Sequence, residues 1–187
     1  MTIPKAYLCR YADDFVCAFT NSFYNELGKR LAMFKLQNAS DKTHIIQFSR
    51  FLQSDKTHFD FLGFEFRWGR SRFNKIVLKR RISKKKYRGA IVNFANWCDQ
   101  NCHKRVSILF IDINRKLRGY YNYYGLAGNS KALGSFFYWA RITLLKWLNR
   151  RSQRKSYTWQ AFNDLMKHFN LAKPRIIKRP TQLRLSF

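Results

Sequence analysis

Acidic residues are scarce in this sequence, and they are unevenly distributed. The 187 residues include 37 Lys or Arg but only 10 Asp or Glu, which gives a formal net charge of +27. Residues 1–66 hold eight basic and seven acidic residues, whereas residues 67–187 hold 29 basic and three acidic ones. This asymmetry predicts a boundary near Arg67 and a second part that binds a polyanion. Because 46% of the residues are hydrophobic and 18% aromatic, a disordered polyelectrolyte is excluded.

Long apolar runs are also missing. The longest, residues 133–148, is interrupted by Arg141 and Lys146, and a membrane-spanning helix needs about 20 predominantly apolar residues. The start, Met-Thr-Ile-Pro-Lys, lacks the apolar segment of a signal peptide. We therefore expect a cytoplasmic protein with no membrane partner, whose four cysteines stay reduced.

Cysteine and histidine are few, and their spacing does not favour a zinc site. Cys98 and Cys102-His103 could supply ligands, but structural zinc sites usually need four ligands in paired clusters. The other histidines, His44, His58 and His168, do not stand at a matching spacing. We expect Cys98, on the apolar face of a predicted helix, to act as a small apolar residue.

Two adjacent carboxylates, Asp13 and Asp14, stand between short runs of β-favouring apolar residues at 7–9 and 15–19. This pattern predicts a β-hairpin with both carboxylates at its tip. Their mutual repulsion costs on the order of 1 kcal/mol in water. A divalent cation removes that cost, and Mg²⁺ prefers one or two carboxylates together with substrate phosphates. The alternative is a polar turn without a metal, since Asp is common in turns.

A helix is predicted after the hairpin, with Asn21 or Ser22 as its cap. Its apolar residues recur at spacings of 4, 4 and 3, which places them on one face: Phe23, Leu27, Leu31 and Phe34.

Three strands are predicted in the residues that follow this helix. The first is a short run at 44–48, and the second is an alternating run at 59–66. Gly63, in the middle of the second, predicts a bulge or a close approach of another backbone. A last strand at 75–78 is predicted to pair with it across a loop at 68–70.

From Ser83 onward the apolar period becomes helical and predicts four helices. A break at 125–130 separates the second from the third, with Asn129 or Ser130 as a cap. The four apolar faces are Tyr87, Ile91, Phe94 and Cys98; Leu109, Ile113, Leu117, Tyr120 and Tyr124; Leu133, Phe136, Phe137, Ala140, Leu144, Trp147 and Leu148; and Trp159, Phe162, Met166 and Phe169.

Four ordered motifs together resemble one protein family. The first part of the chain resembles the second half of a reverse-transcriptase palm. The motifs that carry this resemblance are, in order, Tyr11-Ala12-Asp13-Asp14, a predicted helix, Asp41-Lys42-Thr43 and Phe61-Leu62-Gly63-Phe64. The run from Asn114 to Tyr124 resembles the maturase-specific thumb of bacterial group II intron reverse transcriptases. Asn129-Ser130, Trp147-Leu148 and Arg150-Arg151 fit the same pattern, so the resemblance covers about 6–165.

The resemblance implies an α+β chain with three parts. Residues 1–82 would form a partial antiparallel reverse-transcriptase palm, residues 83–170 a helical thumb or maturase domain, and residues 171–187 a basic tail. The implied function is RNA-directed DNA polymerisation and intron maturation. The implied partners are group II intron RNA, an RNA template, a DNA primer and dNTP.

The resemblance also implies roles for seven residues. Asp13 would bind Mg²⁺ in a two-metal site, with Asp14 a weaker or transient ligand. Lys42 would lie near the nucleotide phosphates and protonate the leaving group, although a solvated lysine is an equal alternative. Tyr11 and Ala12 would contact the end of the primer. Leu62 and Gly63 would contact the primer backbone.

Several family features are missing. Residues 1–12 contain no acid, whereas polymerase palms of this family take a further aspartate from an earlier strand. The fingers and an endonuclease domain are absent, and Lys35 stands where the family usually has Gly. The sequence therefore predicts a C-terminal part that is inactive alone. It leaves open a split enzyme with a complementary N-terminal chain, an RNA-binding splicing fragment without polymerase activity, and a remnant without function.

Basic residues cluster where the palm would meet the thumb, and this setting favours phosphate contacts over a merely solvated face. Of the aromatic run 120–124, we expect two or three rings in the core and one or two, such as Tyr123, against RNA. The predicted RNA-binding residues are Arg80, Arg81, Lys84, Lys85, Lys86, Arg88, Arg115, Arg118, Arg150 and Arg151.

Overall fold

The structure is a computed structural model, and it describes residues 7–19, 23–36, 40–51, 57–151 and 157–177. The chain divides into two compact units, Met1–Lys79 and Arg80–Phe187. Helices and antiparallel strands are both present, which confirms the α+β class. The assignment of the units as palm and thumb stays a prediction. Within the described ranges, no helix is both long and apolar enough to cross a membrane.

The elements follow one another as strands first and helices last. They are β1 Tyr7–Tyr11, β2 Asp14–Ala18, α1 Phe23–Met33, a 3₁₀ turn at Ser40–Lys42, β3 His58–Phe61, β4 Phe64–Arg70, β5 Ile76–Ile82, α2 Lys84–Asn101, α3 Val106–Tyr124, α4 Ser130–Arg150 and α5 Trp159–His168. β1 and β2 form a two-stranded sheet, and β3, β4 and β5 form a three-stranded sheet in that order.

The predicted first hairpin is confirmed. β1 and β2 pair antiparallel with Tyr7 opposite Ala18 and Tyr11 opposite Asp14. A two-residue turn joins them, in which Ala12 has a φ of 50°. The Nε atom of Arg10 donates to the carbonyl of Ala12 at 2.9 Å, which satisfies one turn acceptor. Asp13 and Asp14 are therefore held at the tip, as predicted.

The predicted single strand at 59–66 is wrong, because the chain reverses direction in its middle. Leu62 and Gly63 form a tight turn between β3 and β4, with Phe61 opposite Phe64. Both turn residues have positive φ, 51° and 78°, as a type I′ hairpin turn requires. Gly63 therefore serves the turn and makes no bulge, and the predicted primer-binding pair, Leu62 and Gly63, lies at a hairpin tip.

Two further strand predictions are corrected. Residues 68–70, predicted as a loop, are the end of β4. Residues 44–48 are not a strand, and no described strand pairs with them. Instead, the Phe48 ring packs on Phe59 and Trp68 at centroid distances of 5.0 Å and 5.6 Å. The apolar run thus covers the β3–β4 sheet with a side chain and adds no backbone pairing. The predicted strand at 75–78 is confirmed as β5 beside β4.

The helix at 23–33 is confirmed, and its predicted caps, Asn21 and Ser22, lie outside the described residues. It ends in a Schellman motif, because Leu36 N–H donates to the Leu31 carbonyl and Lys35 N–H to the Ala32 carbonyl, both at 3.0 Å. Lys35 takes a φ of 57° there, a left-handed conformation that favours glycine.

We expect Lys35→Gly to stabilise the first unit by about 1 kcal/mol, because a non-glycine residue in this conformation costs roughly that much. Urea denaturation followed at the aromatic residues of this unit measures the effect. Lys35→Ala removes the same charge but keeps a Cβ, so it should give no such gain. Equal gains from both variants would contradict the strain explanation.

The first unit buries few side chains. Phe64 is the only buried hydrophobic residue among its described residues, and α1 has none. Large apolar side chains are exposed instead: Tyr7, Leu8, Tyr11, Phe15, Met33, Phe34, Leu36, Ile45, Phe51, Phe73, Ile76, Val77 and Leu78. A two-stranded hairpin is only marginally stable by itself in water. The described part of this unit therefore lacks a core of its own.

The helical unit has a continuous core, and its four predicted helices are confirmed. Its buried hydrophobic residues are Ile82, Phe94, Cys98, Leu109, Phe110, Ile113, Leu117, Tyr121, Leu133, Phe136, Ala140, Leu144, Leu148, Phe162 and Leu171. The Ser83 side chain accepts from Lys86 N–H at 3.3 Å and caps α2. The Thr158 side chain caps α5 in the same way at Ala161. The apolar spacing and the cap residues together account for the four helices of this unit.

Asn129 has a second role besides its predicted cap position. It is the residue before α4, but its side chain makes no cap bond. Its Oδ1 accepts from Ile82 N–H at 3.2 Å, and its Nδ2 donates to the Tyr124 carbonyl at 3.1 Å. The amide therefore joins the end of β5 to the α3–α4 loop.

The first part of the predicted basic tail packs on α3. Asn114 donates to the Phe169 carbonyl at 3.1 Å and accepts from Ala172 N–H at 2.7 Å. Further along, Ile177 N–H donates to the Gly125 carbonyl at 2.7 Å. A Cβ at Gly125 would lie 2.7 Å from the Arg175 carbonyl, so only glycine allows this close approach.

We expect Asn114→Ala to lower the free energy of unfolding by about 2–3 kcal/mol, because it leaves a backbone carbonyl and an N–H without partners. Urea denaturation followed by circular dichroism measures the loss. Asn122→Ala is the matched control, since this exposed amide accepts from the exposed Arg175 side chain; it should change stability by less than about 0.5 kcal/mol. Equal losses would show that the bonds of buried Asn114 add no more stability than the exposed bond between Arg175 and Asn122.

Candidate nucleic-acid interface

The first five residues of α2 include four cations, which we call the α2 cluster: Lys84, Lys85, Lys86 and Arg88. All four side chains are exposed, and so are those of Arg80 and Arg81 at the end of β5. The sequence contains no acid between Glu65 and Asp99. Among the described residues, none of these six cations makes an ion pair with a carboxylate.

The α2 cluster does not stabilise its helix. Cations near a helix N-terminus oppose the macrodipole, and each costs typically about 0.3–1 kcal/mol at low salt. The first turn of α2 contains no acid that offsets this. An anion bound there would remove the repulsion and meet the free N–H groups of the helix end. The arrangement thus favours an anionic ligand over a purely structural role.

Arg115 and Arg118 lie on the exposed side of α3. Arg115 also pairs with Asp112 at 3.5 Å, while its side chain is 77% exposed. The packed tail adds a cation on this side, because Arg175 donates to Asn122 at 3.0 Å, one turn beyond Arg118. Arg175 was not predicted, since nothing in the sequence indicates that the tail returns to α3.

Arg150 and Arg151 differ, although they are neighbours in the sequence. Arg150 is exposed, with its guanidinium 4.8 Å from the centre of the Trp147 ring. Arg151 is partly buried and donates to the carbonyls of Cys102 and Lys104. Its guanidinium therefore holds the connection between α2 and α3, which makes it a structural residue in addition to its predicted role.

The aromatic run 120–124 divides as predicted between core and surface. Tyr121 is buried, and Tyr120 and Tyr124 pack against the core. Burial raises the pKa of the Tyr120 and Tyr121 hydroxyls, so both stay protonated at neutral pH. Tyr123 is 47% exposed. Its predicted contact with RNA stays a prediction.

The predicted polymerase residues lie on three elements of the first unit. Tyr11 through Asp14 form the tip of the first hairpin, Leu62 and Gly63 the tip of the second, and Lys42 ends the 3₁₀ turn. Asp13, Asp14 and Lys42 are exposed or nearly so. Within the described residues, no three His, Cys, Asp or Glu side chains come together as a metal site. The hairpin tip thus supplies two carboxylates, which fit part of a Mg²⁺ site but not a complete one.

Cys98 and Cys102 line a small internal space together with Leu109, Leu144 and Trp147. Burial raises the pKa of the Cys98 thiol to about 12, so it stays a neutral thiol. The side chain acts here as a small apolar group of the core.

Part of the helical unit is similar to a known protein family. Residues 93–166 match the family model described as the group II intron, maturase-specific domain. The predicted resemblance is confirmed for these residues. The matched residues run from the middle of α2 into α5 and include Arg115, Arg118, Arg150 and Arg151. No curated protein and no solved structure matches the chain.

Proposed function

We propose that this chain is a group II intron maturase that binds intron RNA through its helical unit. One observation carries the proposal: the exposed α2 cluster lies in the same compact unit as the maturase-specific domain. Residues 80–187 contain 24 Lys or Arg and three acids. Of these acids, Asp112 and Asp164 already pair with cations of the unit. Most of its positive charge is left for a ligand.

RNA suits this surface better than a compact anion. The exposed cations stand on β5, α2, α3 and α4, so a ligand must offer negative charge over an extended length. A nucleic acid backbone does so, and binding gains from the counterions that it releases. Intron selectivity then comes from unpaired bases that exposed aromatic residues contact.

The test is binding of the 187-residue chain to a group II intron RNA and to an unrelated RNA of equal length. We expect both to bind at about 0.05 M salt, with an affinity that falls steeply as salt rises. The intron RNA should keep the higher affinity at about 0.2 M salt. The same chain should speed excision of the intron at a Mg²⁺ concentration where the RNA alone splices slowly. Absence of binding at low salt would refute the proposal.

A second candidate function is half of a split RNA-directed DNA polymerase. The first unit supports it, because it presents Asp13 and Asp14 at a hairpin tip and exposes apolar side chains that a partner chain would cover. Such a partner would bring the fingers and the further aspartate. Mg²⁺ held by Asp13 and Asp14 with that aspartate would activate the primer hydroxyl and stabilise the leaving pyrophosphate. Lys42 would then lie near the phosphates of dNTP.

A further inference from the structure

The exposed side of α4 carries two aromatic residues that lie off its core-facing rows. Tyr138 is 56% and Trp139 46% exposed, and their rings meet edge to face at 5.7 Å. The buried residues of the helix, Leu133, Phe136, Ala140, Leu144 and Leu148, lie on the other side. The core therefore gives no reason for a tryptophan at position 139.

The other tryptophans of the chain have structural partners. Trp68 stacks on Phe48, whereas cations lie over the other three rings: Lys116 over Trp97, Arg150 over Trp147 and Arg141 over Trp159. Among the described residues, the only ring contact of Trp139 is with its neighbour Tyr138. Its half-exposed indole therefore has a large surface open to solvent.

The start of α2 contacts α4 one turn before Trp139. The hydroxyl of Tyr87, in the first turn of α2, bonds to the Ser135 hydroxyl at 2.7 Å. Trp139 follows Ser135 by four residues, so it lies on the same side of α4 about one turn, or roughly 6 Å, further along. Lys84 lies one turn before Tyr87 on the same face of α2. The contacts of Tyr87 with Ser135 and of Cys102 with Arg151 show that α2 and α4 run parallel. Trp139 therefore lies beyond the α2 cluster along this helix pair, where a strand that leaves the cluster along α4 would reach it.

Positive charge also surrounds Trp139 on its own helix. Lys131 and Lys146 are exposed on the same side, two turns before and after it, and α4 contains no Asp or Glu. A protein partner covering the indole would have to neutralise these cations with acids of its own. An RNA strand supplies a flat apolar base and negative phosphates together.

We propose that Trp139 stacks on an unpaired base of the RNA whose phosphates contact the α2 cluster. This inference rests on the proposed function and adds the form of RNA that the surface recognises. A base inside a duplex has both faces covered by its neighbours, so the indole reaches only bases in loops, bulges or single strands. Stacking of this kind is worth roughly 5- to 150-fold in affinity per base.

The test compares two RNAs of equal length with the full chain, one with an unpaired loop and one fully duplex. Trp139→Ala should weaken binding of the loop RNA by roughly 5- to 150-fold and leave duplex binding unchanged. Trp139→Phe keeps an aromatic face and should recover most of the loss. The slope of log affinity against log salt should stay the same, because the substitution removes no cation that neutralises a phosphate.

Phe73→Ala is the matched control, since Phe73 is exposed beside a cation, Arg72, but lies in the β4–β5 loop of the first unit. It should affect neither RNA, and thermal unfolding should show that both alanine variants are folded. If Trp139→Ala leaves loop binding unchanged, or weakens both RNAs equally, stacking is refuted while the proposed function stands. If Trp139→Ala changes the sedimentation of the chain but not its RNA affinity, stacking is also refuted, and the indole then takes part in association between protein chains. If the wild-type chain binds neither RNA, the proposed function fails as well.

Discussion

Replacing Lys84, Lys85, Lys86 and Arg88 together by Ala should lower the affinity for intron RNA by about 10³-fold at about 0.1 M salt. Each cation that no longer neutralises a phosphate should flatten the slope of log affinity against log salt by about 0.9, so four give about 3.6 units. The loss at about 0.1 M follows from that slope change. Salt of about 1 M nearly abolishes the electrostatic attraction, and about 0.1 M lies one decade below it, so a slope smaller by about 3.6 units lowers the affinity there by more than 10³-fold. Titrations at several salt concentrations measure both quantities.

The folded state should tolerate this quadruple substitution. All four side chains are exposed, and Ala relieves cationic repulsion at the start of α2. The Ser83 cap is unchanged, because its hydroxyl accepts from the Lys86 backbone N–H. Thermal unfolding should therefore show equal or slightly higher stability.

The matched control removes four exposed cations from the first unit: Lys29, Arg30, Arg72 and Lys75. It makes the same change in net charge, so it tests whether total charge alone accounts for the attraction. We expect a slope change of less than about one unit from this variant. An unchanged slope in the α2 variant would mean that its four side chains face solvent when RNA is bound, and Arg115, Arg118 and Arg150 would then be the candidates.

The sequence predicts the helical unit well because its helices bury one face each against a shared core. The spacing of residues such as Leu109, Ile113 and Leu117 is itself the requirement for that burial. The cap bond of Ser83 is local as well, since it reaches a backbone N–H three residues away. Local periodicity and local hydrogen bonds therefore account for most of this unit.

The strands of the first unit are less predictable, because one pattern allows two structures. Residues 59–66 alternate equally well as one strand or as a hairpin, and only the turn distinguishes them. Leu62 takes a positive φ, which its residue type does not indicate. The segment 44–48 is apolar enough for a strand, yet no described strand pairs with it. Whether a segment forms a strand depends on its pairing with a distant segment, and the local sequence pattern does not reveal that partner.

The same distinction applies to the candidate interface. Charge density predicts the α2 cluster, because a run of cations without neighbouring acids is visible in the sequence. The position of Arg151 is set by carbonyls 47 and 49 residues away, so its structural role could not be predicted. Trp139 was missed for a related reason. Its position relative to the α2 cluster depends on the packing of α2 against α4.

The chain alone should show no primer extension on an RNA template with Mg²⁺. Its described residues bring together two carboxylates and no third metal-binding side chain, so the metals of a two-metal site would lack ligands. Incubation of purified protein with a labelled primer, template and dNTP measures this. Template-dependent extension by residues 1–187 alone would contradict the prediction, provided that Asp13→Asn abolishes it and so excludes a contaminating polymerase.

A complementary chain that carries the fingers and the further palm aspartate should restore extension if the split-enzyme proposal is correct. In that complex Asp13→Asn should lower the rate at least about 100-fold, since even outer-shell partners of a metal are worth about 10–100-fold. The substitution keeps the shape of the side chain and removes its charge, so the hairpin should still form.

Asp60→Asn is the matched control, because Asp60 is an exposed carboxylate of β3 in the same unit. It should leave the rate within about twofold, since no metal role is assigned to it. Equal loss in both variants would point to a general charge effect, and full activity of Asp13→Asn would remove the hairpin tip from the catalytic site.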